Sequence, residues 1–199
     1  MASNDSKRVF VAISLPHVLQ KKLAQYQQEI KQSFPEDMGS KVAKWVKPQL
    51  LHITLLFLGE VKTEHLPQVC QVVKEVLQGW KSFDIKLSHI SYGPTKKMPP
   101  RLIWLTLGKN MDLQCIANAL QEKMQQAGLL SVGSAKAFTG HITLARVKEW
   151  LWKRIEPEEQ PQMDREANLI FSATSVDIME SALKRSGPEY LVLQSIPFA

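Results

Sequence analysis

The tetrapeptide His52-Ile53-Thr54-Leu55 occurs a second time as His141-Ile142-Thr143-Leu144. A repeated segment is an architectural signal first, because it marks two units built alike. Each copy lies in an apolar, β-branched setting and reads as a strand, over residues 50–58 up to Gly59 and over residues 141–147. One copy stands in each half of the chain. The repeat therefore predicts two related lobes, each supplying one such strand. Successive strand side chains point to opposite faces, so His52 and Thr54 share a face, and so do His141 and Thr143. Two such strands meeting across a cleft bring two imidazoles and two hydroxyls together.

The remainder of the chain supports a mixed fold. Residues 8–15 read as a first strand, and residues 1–7 are polar and expected to be disordered. Leu19, Leu23, Tyr26 and Ile30 follow Pro16 at helical spacing and stop before Pro35. A second helix is expected over residues 63–77, capped by Thr63, with Leu66, Val69, Val73, Val76 and Leu77 inward. A third is expected over residues 111–127, closed by Gly128. Strands are expected over residues 83–92, 101–107, 172–183 and 189–194. In the first of these, Phe83, Ile85, Leu87 and His89 alternate on one face. Residues 129–139 and 148–165 read as loops. About seven strands and three helices make this an α+β chain.

Composition narrows the class. The 199 residues are 44% hydrophobic and 22% charged, which excludes collagen, disordered tails and coiled-coil rods. The length suits a single domain over residues 1–199, made of two lobes sharing a core. Lys and Arg number 25 against 19 Asp and Glu, a net +6, and such a surface attracts polyanions. Cys70 and Cys115 are too few for a disulfide scaffold or a thiolate zinc site. No run of apolar residues reaches membrane-spanning length. The expectation is a soluble cytoplasmic protein without a membrane partner.

The paired His-x-Thr strands fit phosphodiester cleavage. One imidazole acts as general base and the other as general acid; histidine as a residue type titrates near neutral pH, so both protonation states are accessible. The hydroxyls donate to phosphate oxygens and stabilise developing charge. A single His-x-Thr is usually a packing feature; two in matched settings are not. His17, His65 and His89 have no such partner. No nucleotide-binding P-loop, zinc-protease or serine-elbow motif occurs.

At these residues the chain resembles the two-histidine phosphoesterase superfamily, and within it the RNA 2′,3′-cyclic phosphodiesterases, historically called 2′-5′ RNA ligases. Arg8-Val9-Phe10-Val11-Ala12-Ile13 with Leu15-Pro16 resembles the family's opening strand and turn. Trp45-Val46-Lys47-Pro48 through His52-Ile53-Thr54-Leu55 to Phe57-Leu58-Gly59-Glu60 resembles its first motif. Arg101-Leu102-Ile103-Trp104-Leu105 resembles its central strand, and His141-Ile142-Thr143-Leu144-Ala145-Arg146 its second motif. The resemblance implies a bilobal α+β fold: two pseudo-symmetric lobes, rich in antiparallel sheet, around a central cleft.

It implies opening of RNA 2′,3′-cyclic phosphate ends to 2′-phosphates, with no metal and no cofactor. It also implies a reversible, ATP-independent 2′-5′ joining of RNA such as tRNA halves, by a monomer. By position, His52 and His141 become the catalytic pair. Sequence does not decide their roles; His52 is taken as the acid and His141 as the base. Thr54 and Thr143 would bind the phosphate, and Arg146 the terminal nucleotide.

Two features depart from the pattern. Phe138-Thr139-Gly140 stands where the family has a Pro ahead of the second histidine. Strict alternation also puts Arg146 on the face opposite His141, so it reaches the cleft only if the strand ends, twists or bulges. Lys96, Lys97, Arg101 and the Trp45 loop could add contacts to single-stranded RNA. Residues 148–165, with Lys153 and Arg154, read as a solvated loop rather than a lid. Trp104 is expected in the core. Two readings compete with RNA hydrolysis: a non-catalytic domain that binds RNA ends or nucleotides, and the same chemistry on 2′-5′ oligonucleotides or an ADP-ribose cyclic phosphate.

Overall fold

Alternating strands must bury one face, and the amphipathic helices supply the cover. In the computed structural model, which describes residues 5–94, 98–130, 137–184 and 187–199, the strands are β1 Ser6–Ser14, β2 Ala43–Trp45, β3 His52–Lys62, β4 Phe83–Gly93, β5 Leu102–Leu107, β6 His141–Val147, β7 Asp164–Ala173, β8 Ser175–Lys184 and β9 Gly187–Pro197. The helices are α1 His17–Gln32, α2 Met38–Lys41, α3 Leu66–Leu77, α4 Met111–Gln126 and α5 Glu149–Trp152. The fold is α+β with a large antiparallel sheet. Its order is β7-β4-β5-β6-β3-β1-β8-β9, with β2 added on β6.

The repeat sits at the middle of this order. Three strands lie on each side of a seam where β3 meets β6 at the pair Ile53 and Ile142. The expected sheets of the two lobes are thus joined edge to edge into one. Ile53 and Ile142 are both fully buried on the helix-covered face. Each contributes roughly 2 kcal/mol by leaving water. Ile53→Ala would cost about 2–5 kcal/mol and loosen the seam that spaces the histidines.

α1 buries the expected Leu19, Leu23, Tyr26 and Ile30; α3 buries the expected Val69, Val73 and Leu77 together with Val72, while Leu66 and Val76 are only partly buried; α4 buries Leu113, Ile116, Leu120 and Met124. The Asn110 side chain caps α4 by accepting from Leu113 N–H, and Gly128 closes it at φ +70°.

Several expectations are corrected. Ser6 and Lys7, expected to be disordered with the rest of residues 1–7, pair with Lys62 and Val61, and Lys7 Nζ reaches Glu180 at 2.6 Å. Residues 1–4 lie outside the described residues, as do Lys96, Lys97 and most of the 129–139 loop. Thr63 caps no helix. It opens a 3-10 turn, and its hydroxyl donates to Asp5 O at 2.8 Å.

The strand expected over residues 172–183 is two strands, β7 and β8, broken at Thr174. β7 was hidden because it is charged, lies at the sheet edge and changes phase at Asn168, which has φ 42°. Residues 148–165 contain α5, pinned by buried Leu151 and Trp152. His89 does not alternate into the core. β4 shifts register between Leu87 and Ile90, so Ile90 takes the buried position and His89 faces solvent.

Candidate active site

The face of β3 and β6 opposite the helices is the floor of a cavity of about 580 Å³. His52, Thr54, His141 and Thr143 all line it, so the structure brings the four repeat residues together. β1, β8 and β9 form one wall with Arg8, Phe10, Ser181 and Tyr190. The segment from Lys44 to Lys47 forms the other.

The two histidines are anchored in the same way. His52 Nδ1 lies 2.8 Å from Leu50 O, and His141 Nδ1 lies 2.8 Å from Thr139 O. A carbonyl only accepts, so each Nδ1 carries the proton and each Nε2 is left to do chemistry. The Phe138-Thr139-Gly140 departure is therefore harmless here, because Thr139 still offers the anchoring carbonyl. His52 Nε2 accepts from the Thr54 hydroxyl at 3.0 Å. No hydrogen bond joins His141 Nε2 to a described residue.

Aromatic packing fixes both rings. His52 lies 5.0 Å from Phe10 and 5.2 Å from Tyr190, ring centre to ring centre. His141 lies 4.9 Å from Trp104, whose indole N–H donates to Ser91 Oγ at 3.0 Å. Trp104 is buried as expected, but its ring also supports a site residue. Gly93 makes room for it: a Cβ there would lie 2.2 Å from the indole. Burial lowers the His52 pKa, and the positive charges of His141 and Arg146 lower it further, against the pull of the Leu50 carbonyl.

Arg146 does reach the cleft. β6 pairs Thr143 with Trp104 but Ala145 with Ile103, so Leu144 is an extra residue and the alternation flips after it. Leu144 and Ala145 are both buried, and Arg146 lines the cavity. The other copy bulges at the matching residue. β3 pairs Thr54 with Ala12 and Leu56 with Val11, leaving Leu55 extra and turning Phe57 into the cavity. Phe57 is 59% exposed, an unusual place for a phenyl ring.

Among the described residues the cavity is lined by four cations, Arg8, Lys44, Lys47 and Arg146, and by no carboxylate. Trp45 lines it too, while Arg101 lines a neighbouring hollow that shares Leu102 and Arg146 with it. Lys153 pairs with Glu149 at 2.6 Å and Arg154 lies over Trp150; neither enters the cavity. His17, His65 and His89 lie elsewhere. Among the described residues, no group of three or more His, Cys, Asp or Glu side chains is placed to hold a metal.

Phe57 was legible in principle, since aligning the two repeats puts it opposite Arg146. Tyr190 carried no local signal, because the distant pairing of β1 with β8 carries the β8–β9 hairpin, and Tyr190 with it, to the site.

Residues 13–104 match the family described as LigT like phosphoesterase. An RNA 2′,3′-cyclic phosphodiesterase of Archaeoglobus fulgidus is 30% identical over 186 residues, which cover 92% of this chain and 96% of the relative. The chain belongs to the LigT-like phosphoesterase family. Another relative of the same name, from Thermotoga maritima, is 26% identical over 96% of this chain and 95% of its own.

Solved structures of similar form include the protein TT0787 of Thermus thermophilus, with a TM-score of 0.78 and 26% identity, covering 96% of this chain and 97% of that one. Escherichia coli LigT complexed with 3′-AMP has a TM-score of 0.77 at 22% identity, covering 98% and 99%, and supports the same fold. In this LigT-like chain the matched residues include the first copy of the repeat, His52 to Leu55, on β3. No helix is long and apolar enough to cross a membrane.

Proposed function

We propose that this protein is an RNA 2′,3′-cyclic phosphodiesterase that opens the terminal cyclic phosphate to a 2′-phosphate. The carrying observation is the pair of histidines, each anchored through Nδ1 to a backbone carbonyl two residues back, in one cavity lined, among the described residues, by cations and no carboxylate. The names of the relatives point to the same reaction.

Water attacks phosphorus and the bond to the 3′ oxygen breaks, leaving the phosphoryl group on the 2′ oxygen. His141, whose Nε2 has no hydrogen bond to a described residue, takes the proton from water. His52 gives its Nε2 proton to the departing 3′ oxygen. Burial disfavours the His52 cation, but an anionic phosphate between the rings favours it, so substrate binding charges the acid. Thr54 and Thr143 donate to non-bridging oxygens, and Arg146 pairs with phosphate. Phe57 and Tyr190 offer ring faces to the terminal base.

The reverse reaction, ATP-independent 2′-5′ joining of RNA such as tRNA halves, uses the same groups with the proton roles exchanged. Both repeats lie in one chain, so the cleft is complete in a monomer. The free thiols of Cys70 and Cys115 suit the cytoplasm.

The test is incubation of the protein with a short RNA ending in a 2′,3′-cyclic phosphate, in EDTA, beside His52→Ala and His141→Ala. A 2′-phosphate formed only by the wild type is expected. A 3′-phosphate product would overturn the mechanism. RNA bound without turnover would identify a binding domain instead.

A further inference from the structure

Gln27 is out of place on the apolar face of α1. It is 3% exposed and lies among Leu23, Tyr26 and Ile30. A buried amide lowers stability unless its hydrogens are bonded, and a leucine would pack there without that requirement. Its Nε2 donates to Val46 O at 2.8 Å and to Leu144 O at 3.0 Å. The Leu144 carbonyl also accepts Val46 N–H at 2.9 Å. Three segments meet at this point: α1, the end of β2, and the extra residue of the β6 bulge.

That joint stands next to an electrostatic oddity. β2 and β6 pair Lys44 directly with Arg146, and both side chains line the cavity. Like charges placed opposite each other on neighbouring strands are destabilising. Among the described residues no carboxylate lines the cavity to relieve them, and Glu149, which shares the neighbouring hollow with Arg146, is paired with Lys153. Two cations held side by side in this way suit one anionic group between them.

We infer that Gln27 is a positioning residue: by tying Val46 to Leu144 it holds the bulge that turns Arg146 into the cleft, and sets Arg146 beside Lys44 so that both grip one phosphate. This rests on the reading of the cleft as a phosphodiesterase site. Gln27 touches no substrate and acts through the strands it joins.

Gln27→Met keeps the side-chain length and removes both donors. The experiment measures KM and kcat on a cyclic-phosphate RNA, the inhibition constant of inorganic phosphate, and the thermal transition. Q27M is expected to raise KM and the phosphate inhibition constant about tenfold, the scale of a buried hydrogen-bond loss. Its kcat stays within about threefold, because the histidines keep their own anchors. Added to Arg146→Ala, it has little further effect, since the guanidinium it aims is already gone.

An unchanged phosphate constant, a loss confined to kcat, or full multiplication with R146A would overturn the inference. If Q27M shows no thermal transition, Lys44→Met decides, because it leaves the joint intact. A raised phosphate constant supports the two-cation grip, and an unchanged one sinks it. A wild type inert toward cyclic phosphate would bring down the phosphodiesterase reading itself. Wild-type turnover with unaltered phosphate binding in Q27M brings down only the role of Gln27.

Discussion

The two copies of the repeat share their backbone and differ in their surroundings. Both anchor Nδ1 on a carbonyl two residues back, and both bulge at the residue after Thr. The His52 ring, however, lies between Phe10 and Tyr190 with a hydroxyl on Nε2, whereas the His141 ring has Trp104 beside it and no described partner on Nε2. Past the bulge, one strand presents Phe57 and the other Arg146. A symmetric scaffold thus holds an asymmetric site. Opening a cyclic phosphate uses the two rings in different protonation states, because a proton must be taken on one side of phosphorus and given on the other, and unlike surroundings favour that division.

The largest effects should come from the histidines. His52→Ala and His141→Ala are each expected to lower kcat by about a thousandfold, within the range of general acid–base catalysis. Added imidazole separates them. The His141 side is packed by one aromatic ring and should admit the free base, so H141A recovers part of its rate. The His52 space is closed by two rings, and H52A should recover less. Equal rescue would show that the two surroundings are equivalent in solution.

Next come the residues past the bulges. Arg146→Ala is expected to weaken RNA binding about tenfold to a hundredfold, as loss of a charge-assisted contact does, and to reduce the salt dependence by about one phosphate contact. Phe57→Ala should weaken binding by a comparable or smaller factor, about tenfold for one stacked base, and leave the salt slope unchanged. A salt slope altered by F57A and not by R146A would reverse the assignment.

A smaller contrast is expected at the threonines. Thr54→Val and Thr143→Val should each lower kcat about tenfold, less than removal of a dedicated oxyanion donor. T54V also strips His52 Nε2 of its hydroxyl partner, so it alone should displace the alkaline limb of the pH–rate profile, where the general acid loses its proton. Full activity in both variants would remove the threonines from phosphate binding.

The spacing of the repeat made the floor of the site readable, because alternation alone puts His and Thr on one face. The same rule failed wherever a strand carries an extra residue. It sent Arg146 to the wrong face, buried His89 and hid β7, and each error traces to a bulge at Leu144, after Leu87, or at Asn168. A bulge is settled by the partner strand and by what packs beneath, neither of which shows in local sequence. Tyr190, Lys44 and Gln27 were missed for a related reason. Each gains its role from a contact made far along the chain, to His52, Arg146 and Leu144 respectively.

The least effect, and the one that probes the asymmetry without substrate, concerns stability against pH. In the folded chain the His52 pKa lies below its ordinary value near 6.5, through burial first and then the charges of His141 and Arg146. In the unfolded chain it returns to that value. As pH falls through about 6.5, the unfolded form takes up a proton that the folded form refuses, so stability declines. The decline ends once pH passes below the folded pKa, where both forms carry the proton. Thermal midpoints between about pH 7.5 and pH 5 should therefore fall less in His52→Asn than in the wild type. His141→Asn removes only one of the opposing charges and should lessen the fall by a smaller amount. Inorganic phosphate should also reduce it, since an anion between the rings stabilises the His52 cation. Parallel curves for the wild type and both variants would mean that the surroundings of His52 do not lower its pKa in solution, and that the asymmetry of the site has no electrostatic consequence.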